Sequence, residues 1–490
     1  MILDRRALLA TAAALPAASC AERLPWARPS DELAWLDATA TADLIRRKQL
    51  APSEAVEAAI RRAEALNPQL NFLVTTDFDR ARARAAVPAS GPFQGVPTLI
   101  KDLQDVEGIA TRSGSRATAR APIPKATHPN VGALLSAGLI SLGKSSTPEY
   151  GFLPTTEPIA FGPTRNPWDP SRSSGGSSGG AAAAVAAGVV PIAHASDGGG
   201  SIRIPASNCG LFGMKPSRGR MAGDPADADE LSVKFAVSRS VRDSAALFAA
   251  MEKTDFPGRP VGVVTAPGKR RLRIGWITDN LTGGRPEPEV RAGVEATLRL
   301  LQDLGHKVEE ARWPFSGREV GDDFRTVWSS YAAGLVQILS KHMGGVPDER
   351  TLEPFTLGLA RGYAGLPAGA LDAAGKRLSQ AARAYAAMFQ TYDVLLTPVL
   401  AAPPAPLGYV DGDESADAVW AKLETYAPYT PIQNLAGTPA MSVPLHWTRD
   451  GLPVGMHFAA GPAGERTLFE LAYELERARP WSRRRPKVSA

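Results

Sequence analysis

Three stretches of this chain combine hydroxyl, glycine and lysine residues at spacings that could do chemistry. Residues 138–145, GLISLGKS, satisfy the G-x-x-x-x-G-K-[ST] pattern of a phosphate-cradling loop. The variable positions are Leu139, Ile140, Ser141 and Leu142, which favour a buried strand, whereas a phosphate cradle needs an exposed loop running straight into a helix. Pro148 weakens any such helix, so we read a core strand and its turn, with no nucleotide site. The second pattern, G-x-S-x-G, fits in two registers between Gly175 and Gly180 and would make Ser178 the nucleophile of a Ser-His-Asp hydrolase. That chemistry needs a histidine base and an acid downstream. His194, His306, His342, His446 and His457 are available, and none lies where a strand end meets a polar loop. The six histidines, His128 included, show no H-x-x-x-H or comparable spacing, so neither a metal nor another cofactor is expected.

The third stretch is more specific. Residues 173–216 read SSGGSSGGAAAAVAAGVVPIAHASDGGGSIRIPASNCGLFGMKP: a Gly/Ser-rich loop, an Ala-rich helix, a short strand and a second Gly-rich loop. Ser201 follows Ser177 by 24 positions, Gly95-Val96-Pro97 leads to Lys101-Asp102, and NLAGTPAMSVP precedes GLPVG near the C-terminus. On these motifs the chain resembles the amidase signature family of serine hydrolases, from about Trp35 to Pro480.

The resemblance implies an α/β amidase-signature fold, a mixed central sheet flanked by helices on both faces. It makes Ser201 the nucleophile, Ser177 a bridging serine on a cis peptide bond and Lys101 the base. The N–H groups of Gly198, Gly199, Gly200 and Ser201 fall where the family builds its oxyanion hole. Each role has a physical reason. A serine hydroxyl is a weak nucleophile until a base takes its proton. Lysine can do so only when neutral, so burial must bring its pKa down from about 10.4 toward neutrality, and Leu99 and Ile100 suit that burial. Consecutive glycines let amide protons converge without side-chain clashes. One donor to an acyl oxyanion is worth about 2.7–4 kcal/mol.

Around this set, Asp197 and Arg203 are expected to fix the loop, with a further hydrogen bond from Ser178. Ser196 stands where the family usually has threonine and keeps the hydroxyl; Gly198 replaces a commonly larger residue. His194 reads as a packed strand residue. The implied reaction is hydrolysis of a small-molecule carboxylic amide, and of esters, through an acyl-enzyme. TTEP (155–158), TRNPW (164–168) and KPSRGR (215–220) resemble the branch of 6-aminohexanoate-cyclic-dimer hydrolases and broad bacterial amidases. Two other readings are a glutaminase subunit of an amidotransferase, which an export signal opposes, and a non-catalytic binding protein, which would not keep Lys101, Ser177 and Ser201 together.

Other elements must hold these groups in place. Helical spacing marks residues 33–47 and 53–66, the second ended by Asn67-Pro68. Residues 30–251 read as the core with its N-terminal helices, with strands near 96–100, 139–142 and 189–193. A surface connection spans 252–271. Residues 272–391 begin with a strand at 272–278 and a helix at 287–304. They then become a mostly helical lobe that, with Tyr150, would line the substrate pocket through Trp328 and Tyr331. Residues 392–480 return to the sheet, and 481–490 form a basic, solvated tail.

Composition bounds the rest. The 490 residues are 44% hydrophobic and 21% charged, as in an ordinary globular chain. The net charge of +5 comes from the two ends, so the body offers no basic face for nucleic acid. Residues 1–20 place Arg5 and Arg6 before a short apolar run, a twin-arginine-like export signal too short to span a bilayer. A periplasmic or extracellular location is expected. Membrane attachment would require lipidation of Cys20, although Ala17 stands where a lipobox usually has leucine. Cys209 is the only other cysteine, so no disulfide framework exists. A homodimer is left open.

Overall fold

The computed structural model describes residues 32–490 except Ala226, Ala228, Asp229 and Arg259. The export signal of residues 1–20 and the lipidation site at Cys20 lie outside the described residues. The helix read as ending at Asn67 runs on from Pro52 to Leu70. In the last turn the missing N–H of Pro68 sacrifices only one intrahelical bond. The stop comes instead at Asn71, in the left-handed conformation at φ 54°. There Asn67 Oδ1 accepts the N–H groups of Phe72 and Leu73 at 2.9 and 2.8 Å.

Strands β1 (Leu73–Thr76), β2 (Pro97–Lys101) and β3 (Ile140–Ser145) form a small sheet in the order β1-β3-β2. The formal phosphate-loop pattern is thus a buried strand, as its apolar positions require. A short hairpin of β4 (Arg165–Asn166) and β5 (Asp169–Ser173) follows. Eight strands build the large sheet: β6 (Ile192–Asp197), β7 (Phe212–Lys215), β8 (Val233–Ser238), β9 (Arg273–Trp276), β10 (Lys307–Glu310), β11 (Val394–Pro398), β12 (Ala440–Trp447) and β13 (Pro453–Ala460). Their order is β10-β9-β11-β13-β12-β7-β8-β6, parallel from β10 to β11 and antiparallel beyond. All eight residues of β13 are buried. Alternate side chains point to opposite faces, so both faces are covered.

The small sheet meets the large one along β2 and β6, where Thr98 Oγ1 donates to the Ile192 carbonyl at 2.9 Å. This seam matters because Lys101 ends β2 and Ser196 and Asp197 end β6. The helix Gly179–Ala186 joins the two Gly/Ser loops, and every one of its residues is buried. Its run of alanines follows from that position, since a helix enclosed on all sides has room for little beyond Cβ.

Strands β9 and β10 belong to the edge of the large sheet, so the helical cover proper starts at Gly317. It consists of Gly317–Met343, Pro354–Ala364 and Ala370–Ala387. The C-terminal tail, read as solvated, is docked. Trp481 is buried and its Nε1 donates to the Arg239 carbonyl at 2.8 Å. The Arg484 and Arg485 guanidinium groups lie over the rings of Trp447 and Trp35, at 4.3 and 3.9 Å from their centroids. Flat guanidinium ions stack on indole faces, and a residue-by-residue charge count does not register that.

Candidate active site

Lys101 is wholly buried at the end of β2, against β6. Its Nζ lies 2.7 Å from Ser177 Oγ, 3.0 Å from Ser196 Oγ and 3.4 Å from the Ser196 carbonyl. Burial lowers its pKa to about 7, against an upward pull from Asp197. The peptide bond between Gly176 and Ser177 is cis. The loop there is tightly enclosed, and a Cβ on Gly176 would lie 2.3 Å from the Thr155 carbonyl oxygen. Ser178 turns away from the cavity: its hydroxyl donates to the Ser196 carbonyl at 3.2 Å and accepts the Ser196 N–H at 3.3 Å. That occupies the hydroxyl that the Ser-His-Asp reading would need.

Asp197 organises the second loop. Its carboxylate takes a bidentate ion pair from Arg203, with Nε to Oδ2 at 2.8 Å and Nη2 to Oδ1 at 2.7 Å, and accepts the Ile202 N–H at 3.1 Å. Burial alone would raise this carboxyl. The adjacent guanidinium, with Lys215 and the backbone donor, outweighs burial and holds it well below the usual range. Asp197 Oδ1 also accepts the Gly200 N–H at 2.7 Å. The expected four-donor oxyanion hole is therefore corrected: the Gly200 N–H is committed to a carboxylate, because the same turn that brings the amides together folds that one inward. Gly200 itself has to be glycine. Its φ is +139°, and a Cβ would sit 2.3 Å from Thr430 Oγ1.

Arg203 is satisfied on its far side by three residues whose roles were not read from the sequence. Nη1 donates to Gln433 Oε1 at 3.0 Å and meets His457 Nε2 at 3.1 Å, and Nη2 donates to Asn434 Oδ1 at 2.6 Å. An arginine only donates, so His457 Nε2 must accept and its Nδ1–H faces Thr397 Oγ1 at 3.0 Å. Burial and Arg203 keep this imidazole neutral, far below its ordinary pKa. His194 is likewise a buried strand residue, its Nδ1 accepting the Lys101 N–H at 3.4 Å. Lys215, like Lys101 and Lys144, is wholly buried; its pKa is lowered to about 7 by burial, and its Nζ donates to the Pro216 carbonyl at 2.9 Å. It opens the motif KPSRGR quoted above, which assigned it no role.

Ser177, Ser196, Gly198 and Ser201 line one cleft, together with Tyr150, Trp328 and Tyr331. The three aromatic candidates thus converge on the two serines. Ser201 also lines a second, mainly apolar cavity walled by Phe152, Phe324, Trp328 and Trp420. Phe324 was missed, although Phe324, Trp328 and Tyr331 recur at spacings of four and three, which puts them on one helix face. Among the described residues no cluster of His, Cys, Asp and Glu is arranged to hold a metal ion.

The profile of the family described as Amidase matches residues 54–469. The chain belongs to the amidase signature family. It is 42% identical to AmiC of Mycobacterium leprae (strain TN), provisionally named an amidase, over 92% of this chain and 97% of that one. It is 34% identical to the 6-aminohexanoate-cyclic-dimer hydrolase of Paenarthrobacter ureafaciens, over 93% and 97%. A solved 6-aminohexanoate cyclic dimer hydrolase complexed with substrate superposes with a TM-score of 0.87 at 31% identity, covering 93% of this chain and all of that one. The expected fold and the expected reaction class therefore hold: this amidase is a hydrolase acting on small-molecule amides.

Proposed function

We propose that the amidase cleaves a carboxylic amide through Ser201, with Ser177 as proton bridge and Lys101 as base. One observation carries this reading: a lysine sealed from water, lowered to about 7, with its Nζ 2.7 Å from the Ser177 hydroxyl. The neutral amine donates to Ser196 and offers its lone pair to Ser177. Lys101 takes the Ser177 proton as Ser177 takes that of Ser201, and Ser201 Oγ bonds to the carbonyl carbon. The N–H groups of Gly198, Gly199 and Ser201 are the candidate donors to the oxyanion. As the C–N bond breaks, Ser177 protonates the leaving nitrogen and Lys101 restores the Ser177 proton. Water then repeats the sequence on the ester and releases the acid. An ester substrate enters the same cycle, and the names of the relatives support an aliphatic amide.

Labelling with a fluorophosphonate and mapping the modified peptide by mass spectrometry tests the assignment. Modification of Ser201 is the expected result; modification of Ser178 overturns it. We further propose export on the strength of Arg5 and Arg6 ahead of the apolar run 7–18. Replacing both arginines by lysine should leave the precursor in the cytoplasm, and undiminished export refutes this.

A further inference from the structure

The cleft and the cavity meet at Ser201, and two aromatic side chains, Phe152 and Trp328, border both. Among the described residues, Gly151, Phe152, Ser201 and Trp328 line both. Trp328 is firmly held: its Nε1 donates to the Phe152 carbonyl at 3.1 Å, its ring stacks on Phe324 at 5.3 Å, and it meets Phe152 and Tyr331 edge-on at 5.7 and 6.0 Å. It also reaches over the glycine loop, where a Cβ on Gly198 would lie 3.4 Å from its ring. On one side of this wall is a mainly apolar cavity of about 260 Å3, walled by Phe152, Ile204, Phe324, Trp420 and Leu423, with Arg318, Asp322 and Glu424 also on its lining. On the other side lie Tyr150, Ser177, Ser196, Asp227 and Glu230. Glu230 is anchored there, its Oε1 accepting the Ser232 N–H at 2.8 Å. The neighbouring Leu231 carbonyl accepts from Asn434 Nδ2 at 3.1 Å, the same side chain that donates to the Asp197 carbonyl.

We propose that Trp328 is the partition that divides the substrate, sending the acyl chain into the aromatic cavity and the leaving amine into the Tyr150–Glu230 cleft. This rests on the hydrolytic reading above, and the argument is one of proton delivery. The leaving nitrogen receives its proton from Ser177, and among the described residues Ser177 lines the cleft and not the aromatic cavity. The nitrogen must lie there when the C–N bond breaks. The acyl chain, bonded to the same carbon, then takes the other direction from Ser201. The substrate class follows: an amide of an apolar aliphatic or aryl acid with a polar amine. The Asp227 and Glu230 carboxylates favour an amine that bears a second positive charge over one that bears a carboxylate.

Two substrate series on the purified enzyme test this. One varies the acid (acetyl, butyryl, hexanoyl and benzoyl p-nitroanilides); the other varies the amine (hexanoyl amides of butylamine, 1,4-diaminobutane and 4-aminobutyrate). Wild-type kcat/KM should rise about fourfold per methylene along the acyl series. Phe324→Ala should cut the hexanoyl-over-acetyl preference roughly tenfold without reordering the amines. Glu230→Gln should erase the preference for the diamine without changing the acyl profile. Trp328→Ala should blur both. If Phe324→Ala reorders the amines and Glu230→Gln reorders the acids, or if neither profile moves, the partition is wrong. Fluorophosphonate labelling of Ser201 in each variant reports the catalyst separately, so a wild type that is not labelled refutes the hydrolytic reading instead. Phe324→Leu preserves most of the core volume and carries the same expectation in reduced size if the alanine variant does not fold.

Discussion

Asp197 Oδ1 is shared by Gly200 and Arg203, accepting the backbone N–H of one and Nη2 of the other, each at 2.7 Å. The charge that holds the arginine thereby also sets the curvature of the loop carrying Ser201. Asp197→Asn should break both functions, because it leaves a buried guanidinium without its counter-charge. A loss of about 3–5 kcal/mol in unfolding free energy is expected, measured by urea denaturation, together with weakened labelling of Ser201 in the folded fraction.

The pH dependence of turnover should report Lys101. The amine is a base only when neutral, and burial lowers its pKa to about 7, so kcat/KM should rise with pH along an acid limb centred near 7. Removing the hydroxyl of Ser196, 3.0 Å from Nζ, should displace that limb while leaving a measurable rate. An acid limb in the ordinary carboxylate range would refute the assignment.

Replacing Lys101 should move stability and activity in opposite directions. Lys101 has a lower pKa folded than unfolded, so the unfolded chain binds more protons between about pH 7 and 10. Stability from this group therefore grows as pH rises through that window and is lost as pH falls toward 7. Lys101→Met, apolar and of similar length, should lower turnover at least 10²–10⁴-fold yet raise the thermal midpoint at pH 7.

His457 separates framework from chemistry. Its neutral ring accepts from Arg203 deep in the core, so His457→Ala should cost about 1–3 kcal/mol by leaving a donor unpaired. Its acid limb should stay where the wild type has it. His457→Gln, which can still accept, should recover much of the stability. A displaced acid limb in either variant would make this imidazole part of the proton path.

The relation between sequence and site is uneven for physical reasons. Ser177, Ser201 and Lys101 stood out because glycine-rich turns impose strict local spacing and leave a legible pattern. The walls of the apolar cavity did not, since Phe152, Phe324 and Trp420 come from three separate segments and meet only through tertiary packing. Asn434 opens a recognised motif and Gln433 stands just before it, yet their contact with Arg203 spans more than two hundred residues of chain. The committed Gly200 amide was invisible for a different cause: composition says that three glycines can bend, not which way each N–H turns. Pro68 misled because a helix-breaking residue does little harm in a final turn, and the helix here ends only at its C-cap, Asn71.

The docked tail has a practical side. The Ala490 N–H donates to the Ala187 carbonyl at 3.0 Å, and Ala187 caps the far end of the all-buried helix that begins beside Ser178. A purification tag fused after Ala490 would thus pull on the rod whose other tip presents the bridging serine, so assays on C-terminally tagged protein should be checked against material from which the tag has been cut.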